Sequence, residues 1–189
     1  MTLYGFCILV QKNMIMKTYS KIRMLILSLV LLFAACAYNN SRKEIDRTTV
    51  SNVNLKDFMG RWYEIARFDH SFERGMTDVT ATYKFLEDGK IEVINRGVKD
   101  GKPTEALGKA KITDSPGRLR VSFFLFFYSD YNILAMGQEG DWILIGSSSP
   151  KYLWILARTP QLPEDTLKHI IALAKQRGYD TDKLIIDND

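Results

Sequence analysis

The sequence predicts an all-β fold, an eight-stranded antiparallel up-and-down β-barrel with one C-terminal α-helix packed on its outside. Three observations carry the prediction. From Arg61 onward, β-branched and aromatic residues alternate with polar ones at a period of two. Turn signals rich in Gly, Asp and Pro cut that pattern into short runs. The single stretch with helical spacing comes only after the last long run. With no helix between strands, consecutive strands pair as a meander, and closing the sheet on itself removes its exposed edges.

The elements follow in order. Arg61–Asp69 is the first strand. Thr77–Leu86 and Lys90–Val98 flank Asp88-Gly89, a pair that favours a tight hairpin. Asp100-Gly101-Lys102-Pro103 turns into Glu105–Thr113, and Ser115-Pro116-Gly117 turns into Arg118–Phe124. Tyr131–Met136, Trp142–Ser147 and Tyr152–Thr159 complete the eight. The helix spans 163–177. Pro163, Glu164 and Asp165 suit a first turn, and Gly178 suits the left-handed position just past the end. Its apolar stripe, Leu167, Ile170, Ile171 and Ala174, needs a surface to cover, and the outer barrel wall supplies one. Leu184–Ile186 reads as a short strand beyond it.

The net charge of +4 belongs to a leader. Lys12, Lys17, Lys21 and Arg23 precede Cys36 with no acid among them, which leaves 22 basic against 22 acidic residues in the remainder. A neutral domain offers no electrostatic footprint for nucleic acid. Residues 1–35 read as a signal peptide: a charged start, an apolar run from Met24 to Ala35, and small residues before Cys36. Met1 to Ile15 adds nothing to such a peptide, so the true start falls at Met14 or Met16. Residues 36–52 read as the anchor cysteine and a flexible polar tether, and 53–189 as the barrel domain. Cys7 and Cys36 are the only cysteines, so the domain holds no disulfide and no Cys-ligated metal.

Gly60-Arg61-Trp62-Tyr63-Glu64 opens the first strand and Arg158 closes the eighth. This pairing resembles the lipocalin family. The resemblance implies that Arg158 lies over the Trp62 ring and, with Gly60, seals the closed end, where a guanidinium can stack and also reach backbone carbonyls. Trp62-Tyr63-Glu64-Ile65-Ala66-Arg67-Phe68-Asp69-His70, then Phe72-Glu73-Arg74-Gly75, is similar to the bacterial and apolipoprotein D branches of that family. So are Tyr83, Val93-Ile94-Asn95, Val121-Ser122-Phe123-Phe124 and the run from Tyr152 to Pro160. Gln138-Glu139-Gly140-Asp141 departs from the Thr-Asp-Tyr-like motif of many lipocalins, which implies looser packing at the closed end. Leu32-Phe33-Ala34-Ala35-Cys36 resembles a bacterial lipobox, which implies that Cys36 is lipidated. Ala37 after it, where an Asp would signal retention, implies the outer membrane; the periplasmic face is favoured over the surface.

Eight strands enclose an interior wide enough for side chains or for one small ligand. Alternation turns inward Trp62, Ala66 and Phe68, then Val79, Ala81, Tyr83 and Phe85, then Val93 and Asn95. Further round, it does the same for Ala106, Gly108 and Ala110, for Leu119, Val121 and Phe123, and for Tyr152, Trp154 and Leu156. Small residues on the fourth strand, opposite Trp154 and Tyr83, favour a cavity; the alternative is a barrel filled by its own side chains. No inward Lys or Arg stands above the floor, so a headgroup sits at or outside the mouth. The resemblance implies a hydrophobic ligand, a fatty acid or lysophospholipid, with no cofactor and no metal. Leu125-Phe126-Phe127-Tyr128 at the open end reads as a contact with a membrane leaflet or with a second copy in a homodimer, ahead of a lid. His70 and His169 are the only histidines, and the loop holding His70 reads as structural. Glu64 is expected near the floor, bonded to polar groups or paired with an Arg. No Ser-His-Asp set or phosphate loop appears, so a binding protein is favoured over an enzyme of the same fold.

Overall fold

In a computed structural model, residues 44–187 and Met24 are described. The rest of the expected signal peptide, Cys36 and the start of the tether lie outside the described residues. The strands are β1 (Gly60–Phe68), β2 (Met76–Phe85), β3 (Ile91–Lys99), β4 (Lys102–Ile112), β5 (Arg118–Ser122), β6 (Ser129–Met136), β7 (Trp142–Gly146) and β8 (Leu153–Ala157). Every neighbour pair is antiparallel, and β1 bonds both β8 and β2, which closes the barrel. A ninth strand, β9 (Leu184–Ile186), adds to the far end of β1.

Among the described residues of the domain, two α-helices and a 3-10 turn at Thr181–Lys183 accompany the strands. The short α1 (Leu55–Phe58) is capped by Asn54, whose side chain accepts from the Lys56 amide. The longer α2 (Glu164–Gln176) is capped by Arg177 and followed by Gly178, which has a φ of 92°. There the Tyr179 amide reaches back to the Ala174 carbonyl at 3.2 Å.

The strands sort their apolar residues into two clusters because successive side chains face opposite ways. The inner cluster holds Phe58, Trp62, Tyr83, Ile91, Leu119, Ile133, Ile143 and Leu156. The outer one lies beneath α2, where Ile170 and Ala174 meet Leu153, Ile155, Leu134 and Phe68.

Bulges break the alternation. In β1, Glu64 pairs with Leu156 but Ala66 with Ile155, so Ile65 is an extra residue. Beyond it every side chain changes face. Ala66 and Phe68, expected inside, lie in the outer cluster, and Arg67 turns inward. The expected absence of an inward Arg is therefore corrected as well.

The flexible tether is corrected over its last residues. Ile45 is 5% exposed and belongs to the outer cluster. The Asp46 amide bonds the Arg177 carbonyl at 2.8 Å, and the Val50 amide bonds the Ile133 carbonyl at 3.0 Å. Isolated apolar residues in a polar stretch, here Ile45 and Val50, are the only sequence signal of that docking.

Candidate functional site

The closed end sets the depth of everything above it. Trp62 is fully buried and donates from Nε1 to the Phe58 carbonyl at 2.8 Å. The Arg158 guanidinium lies 3.7 Å above the Trp62 ring. It also bonds three carbonyls: Arg61 at 2.8 Å, Met59 at 3.0 Å and Asp57. Gly60 has a φ of 93°, which a side chain would strain, and a Cβ there would stand 3.6 Å from Arg158 Nη1. The 137–141 turn is tied in too, since the Arg158 amide donates to the Asp141 carbonyl at 2.8 Å.

Above this floor Phe58, Tyr83 and Tyr131 fill the lumen. Phe58 and Tyr83 have ring centroids 4.7 Å apart, and the two tyrosine hydroxyls are 2.7 Å apart. Burial raises the pKa of both phenols. Sequence alone does not reveal the plug from α1, because a four-residue helix has no periodicity to detect.

The upper barrel is open. A small chamber of about 70 Å³ lies against Val79, Ala81, Val93 and Leu156. A cavity of about 620 Å³ is lined by Ala106, Val121, Tyr152, Phe124 and Phe127 among others. Asn95, Phe123, Tyr131, Trp154, Phe72 and Glu73 line both. Gly108 does not reach the cavity, because the Phe123 ring covers it: a Cβ there would come within 2.7 Å of that ring. Part of the space opened by the small residues of β4 is thus filled by a neighbour's ring.

A polar cluster sits between the chambers and the β1–β2 loop. Glu64, Arg67, His70 and Glu73 are each 6% exposed or less. Arg67 donates to Glu64 Oε1 at 2.6 Å and to the carbonyls of Glu73 and Met76 at 3.2 and 3.1 Å. Trp154 Nε1 donates to Glu73 Oε2 at 3.1 Å, and His70 Nε2 lies 3.0 Å from the same oxygen. Glu64 and Glu73 both line the small chamber. This cluster brings together residues that alternation does not, because it depends on the Ile65 bulge and on an aperiodic loop.

The Glu64 carboxyl is pushed up to about 8, mainly by burial and then by the Glu73 charge, with Arg67 pulling it down. Between about pH 4.5 and 8 the folded chain keeps a proton that the unfolded chain releases. Stability contributed by Glu64 therefore falls as pH rises through that window, by at most ~1.4 kcal/mol per pH unit. Glu64→Gln retains an acceptor for Arg67 but cannot titrate. Its melting temperature is expected to decline less than that of the wild type from pH 5 to pH 8. Parallel melting curves for the two proteins would contradict this assignment.

The rim of the large cavity is apolar. Phe124, Leu125, Phe126 and Phe127 are each at least 65% exposed. Leu125 has a φ of 49°, and the Phe127 amide closes the turn onto the Phe124 carbonyl.

Comparison with known proteins agrees with this architecture. A lipocalin-like domain matches residues 53–189. Outer membrane lipoprotein Blc of Escherichia coli is 44% identical over 142 residues, covering 73% of this chain and 80% of that protein. The protein of the same name in Citrobacter freundii is 41% identical over 158 residues, covering 82% and 88%. Apolipoprotein D of Mus musculus is 34% identical over 144 residues, covering 70% and 75%. Insecticyanin from the tobacco hornworm Manduca sexta matches in structure with a TM-score of 0.63 at 20% identity, covering 78% and 86%; this likeness speaks for the fold alone. With the domain match spanning the whole barrel and these relatives covering most of it, the chain belongs to the lipocalin family.

Proposed function

We propose that this chain is a lipid-binding lipocalin of the bacterial cell envelope, storing or transporting a fatty acid or lysophospholipid in its barrel without chemistry on it. The observation that carries the reading is the cavity of about 620 Å³ above the aromatic plug. Ligand pockets commonly measure about 300–1,000 Å³ and are mostly apolar. An acyl chain suits such walls: a dozen buried methylenes at ~0.8 kcal/mol each give roughly 10 kcal/mol before the costs of ordering and association.

Lipidation of Cys36 anchors the domain to the outer membrane, on its periplasmic face. The relatives named outer membrane lipoprotein support the outer membrane as the location. Phe124 and Phe127 line the cavity and are exposed at its rim, so the same loop serves as the route between leaflet and barrel.

The test uses Cys36→Ala in the full chain. The variant is expected to move from the membrane to the soluble fraction. There it takes up one fluorescent fatty acid per barrel, and a lysophospholipid displaces that probe. Retention in the membrane would reject the anchor. Absence of saturable uptake would reject the lipid reading.

A further inference from the structure

The large cavity has a buried acidic side chain in its wall that acyl-chain binding leaves unused. Glu73 hangs from the β1–β2 loop, is 6% exposed, and lines both chambers. Its Oε2 accepts from Trp154 and lies beside His70, while no described residue hydrogen-bonds Oε1. Arg67, the nearby buried guanidinium, donates to Glu64 Oε1 and to the carbonyls of Glu73 and Met76, and none of its hydrogen bonds goes to the Glu73 carboxylate. The other acids on the cavity wall are matched from outside: Glu105 by Arg96 at 2.7 Å and Asp130 by Arg120 at 3.7 Å. Among the described residues, Lys99 is the only cation lining the cavity.

Three aromatic rings stand beside Glu73 on the same wall. The centroids of Phe72, Tyr152 and Trp154 form a triangle with sides of 6.0, 6.3 and 6.4 Å; the His70 imidazole, which does not line the cavity, stacks on one face of Phe72 at 3.9 Å, so a ligand meets only the sides of these rings turned to the cavity. Aromatic faces attract a cation within about 6 Å of the ring centroid, more strongly where water is excluded. A carboxylate in an apolar wall favours a cation that completes its shell and repels an anion.

We propose that Glu73 and the faces of Phe72, Tyr152 and Trp154 form a subsite for a cationic headgroup, an alkylammonium or quaternary ammonium borne on the chain that fills the cavity. The inference rests on the lipid-binding reading and deepens it. It makes the protein a discriminating carrier: two ligands with the same tail differ in affinity by the charge of the head. Both ligands are compared at one pH.

The experiment uses the full chain carrying Cys36→Ala, at pH 7.5, with dodecyltrimethylammonium and dodecanoate below their micelle concentrations. Each displaces a bound fluorescent probe. The ammonium is expected to bind roughly tenfold or more tightly than the carboxylate. Glu73→Gln keeps the shape and an acceptor for Trp154, and should bring the two affinities to within about threefold of each other. Phe72→Leu, at a ring that is 56% exposed, should weaken the ammonium more than the carboxylate. Dodecanoate binding as tightly as the ammonium, or an unchanged ratio in Glu73→Gln, would overturn the subsite and leave the lipid reading standing. If neither amphiphile bound the parent protein, the lipid reading would fall and the subsite with it.

Discussion

Arg158→Ala is expected to lower the melting temperature by about 5–15 °C while leaving the affinity for a fatty acid nearly unchanged. One side chain makes two kinds of contact at the closed end. Its guanidinium covers the Trp62 ring from 3.7 Å and donates to the carbonyls of Asp57, Met59 and Arg61. These carbonyls belong to the entry of the chain into the barrel, so Arg158 ties α1 to the end of β8. A cation–π contact is worth about 0.5–2 kcal/mol, and a hydrogen bond about 1 kcal/mol net. Arg158 is partly open to solvent, which discounts the sum to about 2–4 kcal/mol. A domain of this size shifts by about 2–4 °C per kcal/mol. Arg158→Lys should recover only part of the loss, because an ammonium cannot lie flat on the ring and serve three acceptors in one plane. Scanning calorimetry beside probe binding separates the outcomes. A fully stable Arg158→Ala protein that no longer took up ligand would place Arg158 in the site instead of beneath it.

The sequence exposed those features that depend on an unbroken ladder. β3 and β4 pair without interruption from Ile91 opposite Ala110 to Lys99 opposite Lys102, and along them a period of two assigns each side chain a face. β1 shows the limit. Up to Glu64 the alternation places Trp62 on the inside, but the extra residue at Ile65 reverses every assignment after it. Ala66 and Phe68 exchange faces with Arg67, and hydrophobicity gives no warning, since both faces of that strand are buried. A single sequence carries no clear mark of such a bulge, although Glu64 and Arg67 three apart are a pattern that an unbroken strand would split between faces. The remaining gaps have the same origin. α1 is too short to show a period, and Glu73 enters the cavity from a loop whose path depends on tertiary contacts with Arg67 and Trp154. The motif around Trp62 points to the fold; the polar cluster exists only once the bulge and the loop bring its members together.

Ala106→Trp is expected to shorten the ligand that the barrel accepts, with little effect on stability. Ala106 is exposed and lines the large cavity from β4, opposite Asn95 of β3. Its neighbours on the strand, Glu105 and Leu107, are exposed too, and the position is free of the tight packing found at Gly108. An indole there enters empty volume without forcing the core apart, and the melting temperature should stay near that of the parent. The cavity, however, loses room for the chain. Each methylene kept out removes ~0.8 kcal/mol of burial, so excluding about three weakens a long fatty acid by roughly 50-fold. A chain short enough to end before the indole loses nothing. The signature is a change in chain-length preference, measured by displacing one fluorescent probe with saturated acids of increasing length. In the parent protein affinity climbs with length until the cavity is full; in Ala106→Trp it should level off earlier. Identical length profiles would mean that the acyl chain lies elsewhere. A uniform loss at every length would mean that the indole blocks the mouth instead of the interior.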